Sequence, residues 1–183
     1  MPIRLSFICH ARTQAQRLTR FALDEPAEPK SLEKAALMAS ALKKPVRILC
    51  APETRTLQTA QALSREIEIE IVPQLEDYDM GDWKGQSLPD LQHSIPERLT
   101  EWINNPNAAP HGGESVQGLC LRVGTWLDSF REEGHFAVVT HPFVIRAAIL
   151  HALTASTASF NLIDVEPLSI VDLRYTERWR LRV

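Results

Sequence analysis

The chain has 183 residues, 44% hydrophobic and 23% charged, with a formal net charge of -3. That length fits one ordinary domain, and that composition can bury a real core, which excludes a disordered chain. The slight acidic surplus argues against general nucleic-acid binding, and no apolar run approaches the roughly 20 residues of a bilayer span.

Ile3 to Ile8 is rich in β-formers and predicts a first strand ending at Cys9. Residues 11 to 30 are polar, with Pro26 and Pro29, and read as a loop with at most a short helical turn. Ser31 is the expected N-cap of a helix carrying Leu32, Ala35, Ala36, Ala39 and Leu42, stopped by Pro45. Val46 to Cys50 has strand character, and Pro52 is expected to open a second helix with Thr56, Thr59, Ala60 and Leu63. Ile67 to Val72 alternates Ile with Glu, the pattern of a strand with one wet face.

From Pro73 to Asn107 the pattern turns irregular, with short helical pieces at Leu88–Leu91 and Glu97–Ile103. A segment of this length, about 73–111, is expected to be a lid-like insertion facing a substrate. After Gly112-Gly113, one apolar stripe of Val116, Leu119, Val123, Trp126, Leu127 and Phe130 marks a helix. Phe136 to Val139 is a buried-strand run and Phe143 to Leu153 the next helix. Ile170–Leu173 and Trp179–Val183 are expected to close the chain as a hairpin around Thr176-Glu177.

Strands alternating with helices predict an α/β three-layer sandwich, a mostly parallel sheet with helices on both faces, in a single domain over 1–183. In such sheets ligands sit outside the carboxyl ends of the strands. His10, the Ala51–Arg55 segment and His141 each follow a predicted strand, so all three are expected on one edge. An imidazole can attack a phosphoryl group while Arg55 and His141 neutralise its oxygens, and a guanidinium can hold two of them at once. A leaving alkoxide needs a proton, for which Glu76, Asp77 and Asp79 are the candidates.

Cys9-His10-Ala11-Arg12-Thr13 resembles a variant of the Arg-His-Gly-Glu-Thr signature of the histidine phosphatase superfamily, the phosphoglycerate mutase-like proteins. Pro52-Glu53-Thr54-Arg55-Thr56-Leu57-Gln58-Thr59-Ala60 resembles the family's Pro-x-x-Arg-Ala-x-x-Thr-Ala stretch. Leu75 to Gly85 resembles Leu-x-Glu-x-x-x-Gly-x-Trp-x-Gly. Gly112-Gly113-Glu114-Ser115 matches Gly-Gly-Glu-Ser, and Val138-Val139-Thr140-His141 is similar to the second histidine strand. The resemblance implies His10 as nucleophile, Arg55 as phosphate ligand, His141 as electrostatic stabiliser and Asp77 as proton donor, with Glu76 in reserve. Arg12, Thr13, Gln16 and Glu76 are expected on the substrate side, Gln16 standing where many members have a phosphate-binding Asn, and Arg12 or Arg17 serving as a substitute cation.

The implied activity is a metal-independent phosphomonoester hydrolase using a phosphohistidine, with a small phosphorylated metabolite as partner and no cofactor, nucleic acid or membrane. Short bacterial members suggest α-ribazole 5′-phosphate as the kind of metabolite. The departures raise rival readings. Cys9 stands where the family has a phosphate-clamping Arg, Arg12 replaces its Glu, and Pro142-Phe143 replaces a Gly-Gly pair. A weakly active or inactive ester-binding protein is therefore the alternative, and mutase-type transfer a third. Thiol chemistry at Cys9 is a further reading, although the Cys-x5-Arg loop of cysteine phosphatases is absent. Cys9, Cys50 and Cys120 form neither a disulfide framework nor a zinc pattern, and Met1–Phe7 does not read as a signal peptide, so a cytoplasmic location is expected. His93, His111, His135 and His151 lack metal-ligand spacing and are expected at the surface or in loops. Trp83 and Trp102 are expected either to line a pocket or to pack.

Overall fold

The computed structural model describes residues 2–40 and 42–182. Among these the strands are β1 (Ile3–Cys9), β2 (Arg47–Cys50), β3 (Ile69–Ile71), β4 (Gly134–Thr140), β5 (Ile170–Tyr175) and β6 (Trp179–Arg182). They form one sheet in the order β3-β2-β4-β1-β5-β6. β3, β2, β4 and β1 run parallel, while β5 lies antiparallel to β1 and β6 antiparallel to β5. The helices are α1 (Gln14–Arg17), α2 (Pro29–Met38), α3 (Thr54–Ser64), α4 (Leu88–Ser94), α5 (Pro96–Asn104), α6 (Val116–Ser129) and α7 (Pro142–Leu153). None is long and apolar enough to cross a membrane.

The parallel strands read as near-continuous apolar runs because both faces are covered. On one face, Ala35 of α2 and Ala60 and Leu63 of α3 pack with Ile8, Ile48, Cys50 and Val139. On the other, Leu119, Val123 and Leu127 of α6 and Val144 and Ala147 of α7 pack with Leu5, Phe7, Val138 and Leu173. This is the three-layer α/β architecture that the alternation of elements predicts.

Local differences have local causes. α2 begins at Pro29 with Glu28 at its N-cap, two residues before the expected cap. Ser31 is instead buried inside the helix, where its hydroxyl accepts from the Arg12 amide at 2.9 Å. The helix ends at Met38, ahead of Pro45. α3 starts at Thr54 with Glu53 as N-cap, so Pro52 precedes the helix. The strand expected over 67–72 narrows to Ile69–Ile71, and β4 lengthens to seven residues. A 3-10 helix at Thr157–Leu162 had no periodic signal. The hairpin is present as β5 and β6, its last residue Val183 lying outside the described residues. His111 lies in a loop but is fully buried, while His93, His135 and His151 sit in α4, β4 and α7.

Residues 73–111 pack firmly. Leu75, Tyr78, Met80, Trp83, Leu91, Leu99 and Trp102 all enter the main core. Trp83 and Trp102 lie at 6.0 Å edge-to-face within an aromatic group that includes Phe21, Tyr78 and His111. Their role is packing. The segment closes on the Gly112-Gly113 turn, where the Glu114 amide donates to the Asp79 carbonyl at 2.9 Å. Ser115 then caps α6 by accepting from the Gly118 amide, and Glu114, ahead of the cap, pairs with Arg122. A Cβ at Gly113 would collide with the Asp79 carbonyl, whereas one at Gly112 would meet open space, at the cost of a φ of +74°.

Gly113→Ala is therefore expected to cost about 2–4 kcal/mol, or about 5–15 °C in Tm. Gly112→Ala should cost only about 1 kcal/mol. Thermal melts of both variants check this, and equal losses would contradict the collision argument.

Candidate active site

The strand registers bring three segments to one edge. Cys9 pairs with Thr140 and Cys50 with Val139, so β1, β2 and β4 end at nearly one level. The His10 amide extends the ladder by donating to the Thr140 carbonyl at 2.9 Å, and the Ala51 amide donates to Val139 at 3.0 Å. His10 follows β1, Arg55 is the second residue of α3, and His141 is the N-cap of α7.

His10 is 3% exposed and its ring lies 5.2 Å from that of His141, inclined at 63°. Its Nδ1 sits 2.8 Å from the Ala11 carbonyl oxygen. A carbonyl only accepts, so Nδ1 carries the proton and Nε2 keeps a free lone pair. Burial, followed by the charges of His141 and Arg55, pushes the imidazole from its ordinary 6.5 down to about 3, outweighing the Ala11 carbonyl and Asp77. At neutral pH His10 is an uncharged base.

Arg55 is 2% exposed. Its Nη1 donates to the Leu23 carbonyl at 3.1 Å and its Nη2 to Asp77 Oδ2 at 2.5 Å. The same Asp77 oxygen lies 3.5 Å from His141 Nδ1, a buried nitrogen with no hydrogen-bond partner among the described residues. One anionic oxygen thus sits within reach of Arg55 and close to His141. Burial raises the Asp77 carboxyl, but the charges of His141, Arg55 and His10 and the Tyr78 amide more than offset it, holding the group below the usual carboxylate range.

The loop carrying Asp77 is fixed from behind. Arg122 of α6 donates from Nη1 to the carbonyls of Gln74 and Glu76, at 2.8 and 3.1 Å. Thr140 Oγ1 donates to the Leu75 carbonyl at 2.7 Å. The His10 loop is tied to α3, because the Ala11 amide donates to Thr59 Oγ1, whose hydroxyl donates to the Arg55 carbonyl.

Glu53 is the residue that sequence reasoning passed over. Its Oε2 lies 2.7 Å from His141 Nε2 and its Oε1 accepts from the Asp77 amide at 2.8 Å. The only signal was an acidic residue two positions before Arg55. The other predicted residues lie outside this hydrogen-bonded cluster. Thr13 and Gln16 form a reciprocal capping box on α1, the local role that competes with substrate binding for a loop amide. Arg12 is exposed, Arg17 pairs with Glu28 at 2.8 Å, and Glu76 points to solvent. Cys9 is fully buried in the core. Burial, then the Asp77 charge, pushes its thiol up to about 12, so it is a protonated thiol and a poor thiolate nucleophile. No group of three or more His, Cys, Asp or Glu placed to hold a metal ion occurs among the described residues.

A family model described as the histidine phosphatase superfamily (branch 1) matches residues 5–182. The chain is 31% identical over 126 residues to the adenosylcobalamin/alpha-ribazole phosphatase of Salmonella typhimurium (strain LT2), covering 66% of this chain and 62% of that protein. It spans 53–62% of the length of three such curated phosphatases that it matches. Among solved structures, the alpha-ribazole phosphatase from Shigella flexneri superposes with a TM-score of 0.86 at 24% identity, over 98% of this chain and 95% of that one. The phosphoserine phosphatase of Entamoeba histolytica in complex with 3-phosphoglyceric acid gives 0.89 at 19% identity, over 99% and 95%. At these identities the structural likeness shows a shared fold.

The neutral state of His10 has a consequence for stability. The unfolded imidazole takes a proton below about 6.5 and the folded one only near 3, so the unfolded state binds more protons across that window. Unfolding free energy must then fall with falling pH, by up to about 1.4 kcal/mol per unit from this group. Urea denaturation at pH 6.5, 5.5 and 4.5 should show a steeper loss for the wild type than for His10→Asn. Parallel slopes would mean that the buried ring is not held neutral.

Proposed function

The chain belongs to the histidine phosphatase superfamily, branch 1, and from that premise we propose that it hydrolyses a small phosphorylated metabolite through a phosphohistidine at His10. The observation that carries this reading is the His10 proton position, with Nδ1 committed to Ala11 and the Nε2 lone pair free beside Arg55 and His141. In the first step Nε2 attacks phosphorus, a P–N bond forms and the ester P–O bond breaks. Arg55 and His141 neutralise the phosphoryl oxygens, helped by the positive N-terminal end of α7. In the second step water attacks phosphorus, the P–N bond breaks and inorganic phosphate leaves.

Asp77 connects binding to chemistry. In the resting site its carboxylate holds Arg55, which an incoming phosphoryl group also needs. An ester that takes Arg55 leaves the carboxylate unpaired beside a second anion, and like charges raise its proton affinity. Asp77 thereby gains the proton that the leaving alkoxide requires, and recovers it as base from the attacking water. The relatives named for alpha-ribazole support a substrate of that size and charge. Segment 73–111 would act as the wall of this site, within one domain.

One feature favours a second reading, an ester-binding protein with little turnover. Arg55 is the guanidinium that enters the cluster, and Asp77 already meets its charge.

Two variants test the proposal. His10→Ala should abolish both the hydrolysis of p-nitrophenyl phosphate and the acid-labile, base-stable phosphate that can be trapped on the wild-type protein. Asp77→Asn should bind inorganic phosphate about tenfold or more tightly, since Arg55 loses its internal competitor. The same variant should lose about 10²–10⁴ in kcat on an alkyl phosphate, with a smaller loss on p-nitrophenyl phosphate, whose leaving group needs no proton. Equal background turnover in wild type and His10→Ala, with no trapped phosphate, would favour the binding protein.

A further inference from the structure

We infer that Glu53 is a positioning residue that sets which nitrogen of His141 faces the reacting phosphoryl group. The inference rests on the hydrolase reading for its kinetic consequence and on geometry for the rest.

Two helix N-caps are diverted from their ordinary task. Glu53 is the N-cap of α3 and His141 the N-cap of α7, and neither side chain bonds its own helix. They bond each other instead, across 88 residues of chain. The α3 end is served by a substitute. Asp24, from the loop after α1, accepts from the Thr54 amide at 2.8 Å and the Thr54 hydroxyl at 3.1 Å. An acid could have capped α3 from position 53, so moving that task to Asp24 frees Glu53 for His141.

The chemistry of the pair then fixes the proton. A carboxylate only accepts, so Nε2 of His141 must carry hydrogen toward Glu53. His141 is fully buried, and its remaining nitrogen, Nδ1, is the one aimed at the oxygen shared with Arg55. The second oxygen of Glu53 holds the Asp77 main chain. One carboxylate thus orients both the ring that meets the phosphoryl oxygen and the backbone of the proton donor. A neutral amide of the same length carries one acceptor oxygen and no charge, so it can serve the His141 Nε2–H or the Asp77 amide but not both.

That difference makes the role testable against a purely structural tie. Glu53→Gln preserves length but loses the charge and one of the two acceptor oxygens. Glu53→Asp shortens the arm yet remains an anionic acceptor. If the anionic pair of acceptors matters, activity follows Glu, then Asp, then Gln. The Gln variant should lose about 100-fold or more in kcat and kcat/KM together, KM staying nearly constant, as expected for an interaction made in the transition state. If Glu53 is only a tether, Gln outperforms Asp, which would overturn the inference. Long-range 1H–15N correlation of the His141 ring gives a second readout, independent of turnover. The wild type should show an Nε2–H resonance far downfield, as a bond to a carboxylate requires, and Glu53→Gln should move it upfield. An unchanged Nε2–H resonance in the Gln variant would also overturn it. Should the wild type prove unable to hydrolyse any phosphomonoester, the hydrolase reading fails, and the ring spectrum alone decides the positioning role.

Discussion

A guanidinium that is 2% exposed must have its charge met inside the protein, and in this fold Asp77 meets that of Arg55. Removing one partner of such a pair costs several kcal/mol, because the other is left charged and buried. The pair therefore dictates where its supporting segments go. Arg55 comes from the first turn of α3, while Asp77 comes from a short irregular stretch beyond β3, between 3-10 turns at Pro73–Leu75 and Gly81–Trp83. Arg122 and Thr140 hold that loop by its carbonyls, from α6 on one side and β4 on the other. The deep packing of residues 73–111 follows from the same requirement, since a loosely attached loop could not keep a carboxylate on a buried cation.

The two imidazoles beside this pair are set by acceptors that cannot donate. Ala11 fixes His10 through Nδ1 and Glu53 fixes His141 through Nε2. The inward nitrogens are consequently different, Nε2 on His10 and Nδ1 on His141. One anchor is the neighbouring main chain and the other is a side chain from α3, so the rings are held from opposite ends. Each ring then offers the cluster one nitrogen of defined character. A site built from two freely rotating histidines would offer a mixture.

Much of this placement was legible in the sequence. Strongly apolar strands followed by His10, Arg55 and His141 locate those residues through the rule that parallel strands share a carboxyl edge. Asp77 followed from its distance to Gly81 in a recognisable stretch. Partner choice among polar side chains was not legible. The exchange of caps between Glu53 and Asp24 depends on loops about 30 residues apart, and the Glu53–His141 bond on residues 88 apart. Hydrophobic periodicity carries no information about either. Ser31 shows the same gap, because its hydroxyl serves the Arg12 amide and cannot be recognised as anything but a helix cap from its neighbours. The Thr13–Gln16 capping box is a local pattern of three-residue spacing, and the resemblance set both residues on the substrate side instead.

The buried thiol of Cys9 shapes the charge balance that remains. A neutral side chain at the end of β1 adds no cation to the edge, so Arg55 supplies the fixed positive charge in the cluster while Asp77 and Glu53 are both held ionised. A phosphate ester entering such surroundings cannot simply add its charge, because an excess of buried anions is costly. It must either displace a carboxylate from Arg55 or bring a proton with it. On the proposed reading both happen at Asp77, since losing the guanidinium is what gives that carboxylate its proton affinity. Sparse positive charge is then compatible with catalysis, because the ion pair that competes with substrate is also the source of the acid that substrate needs.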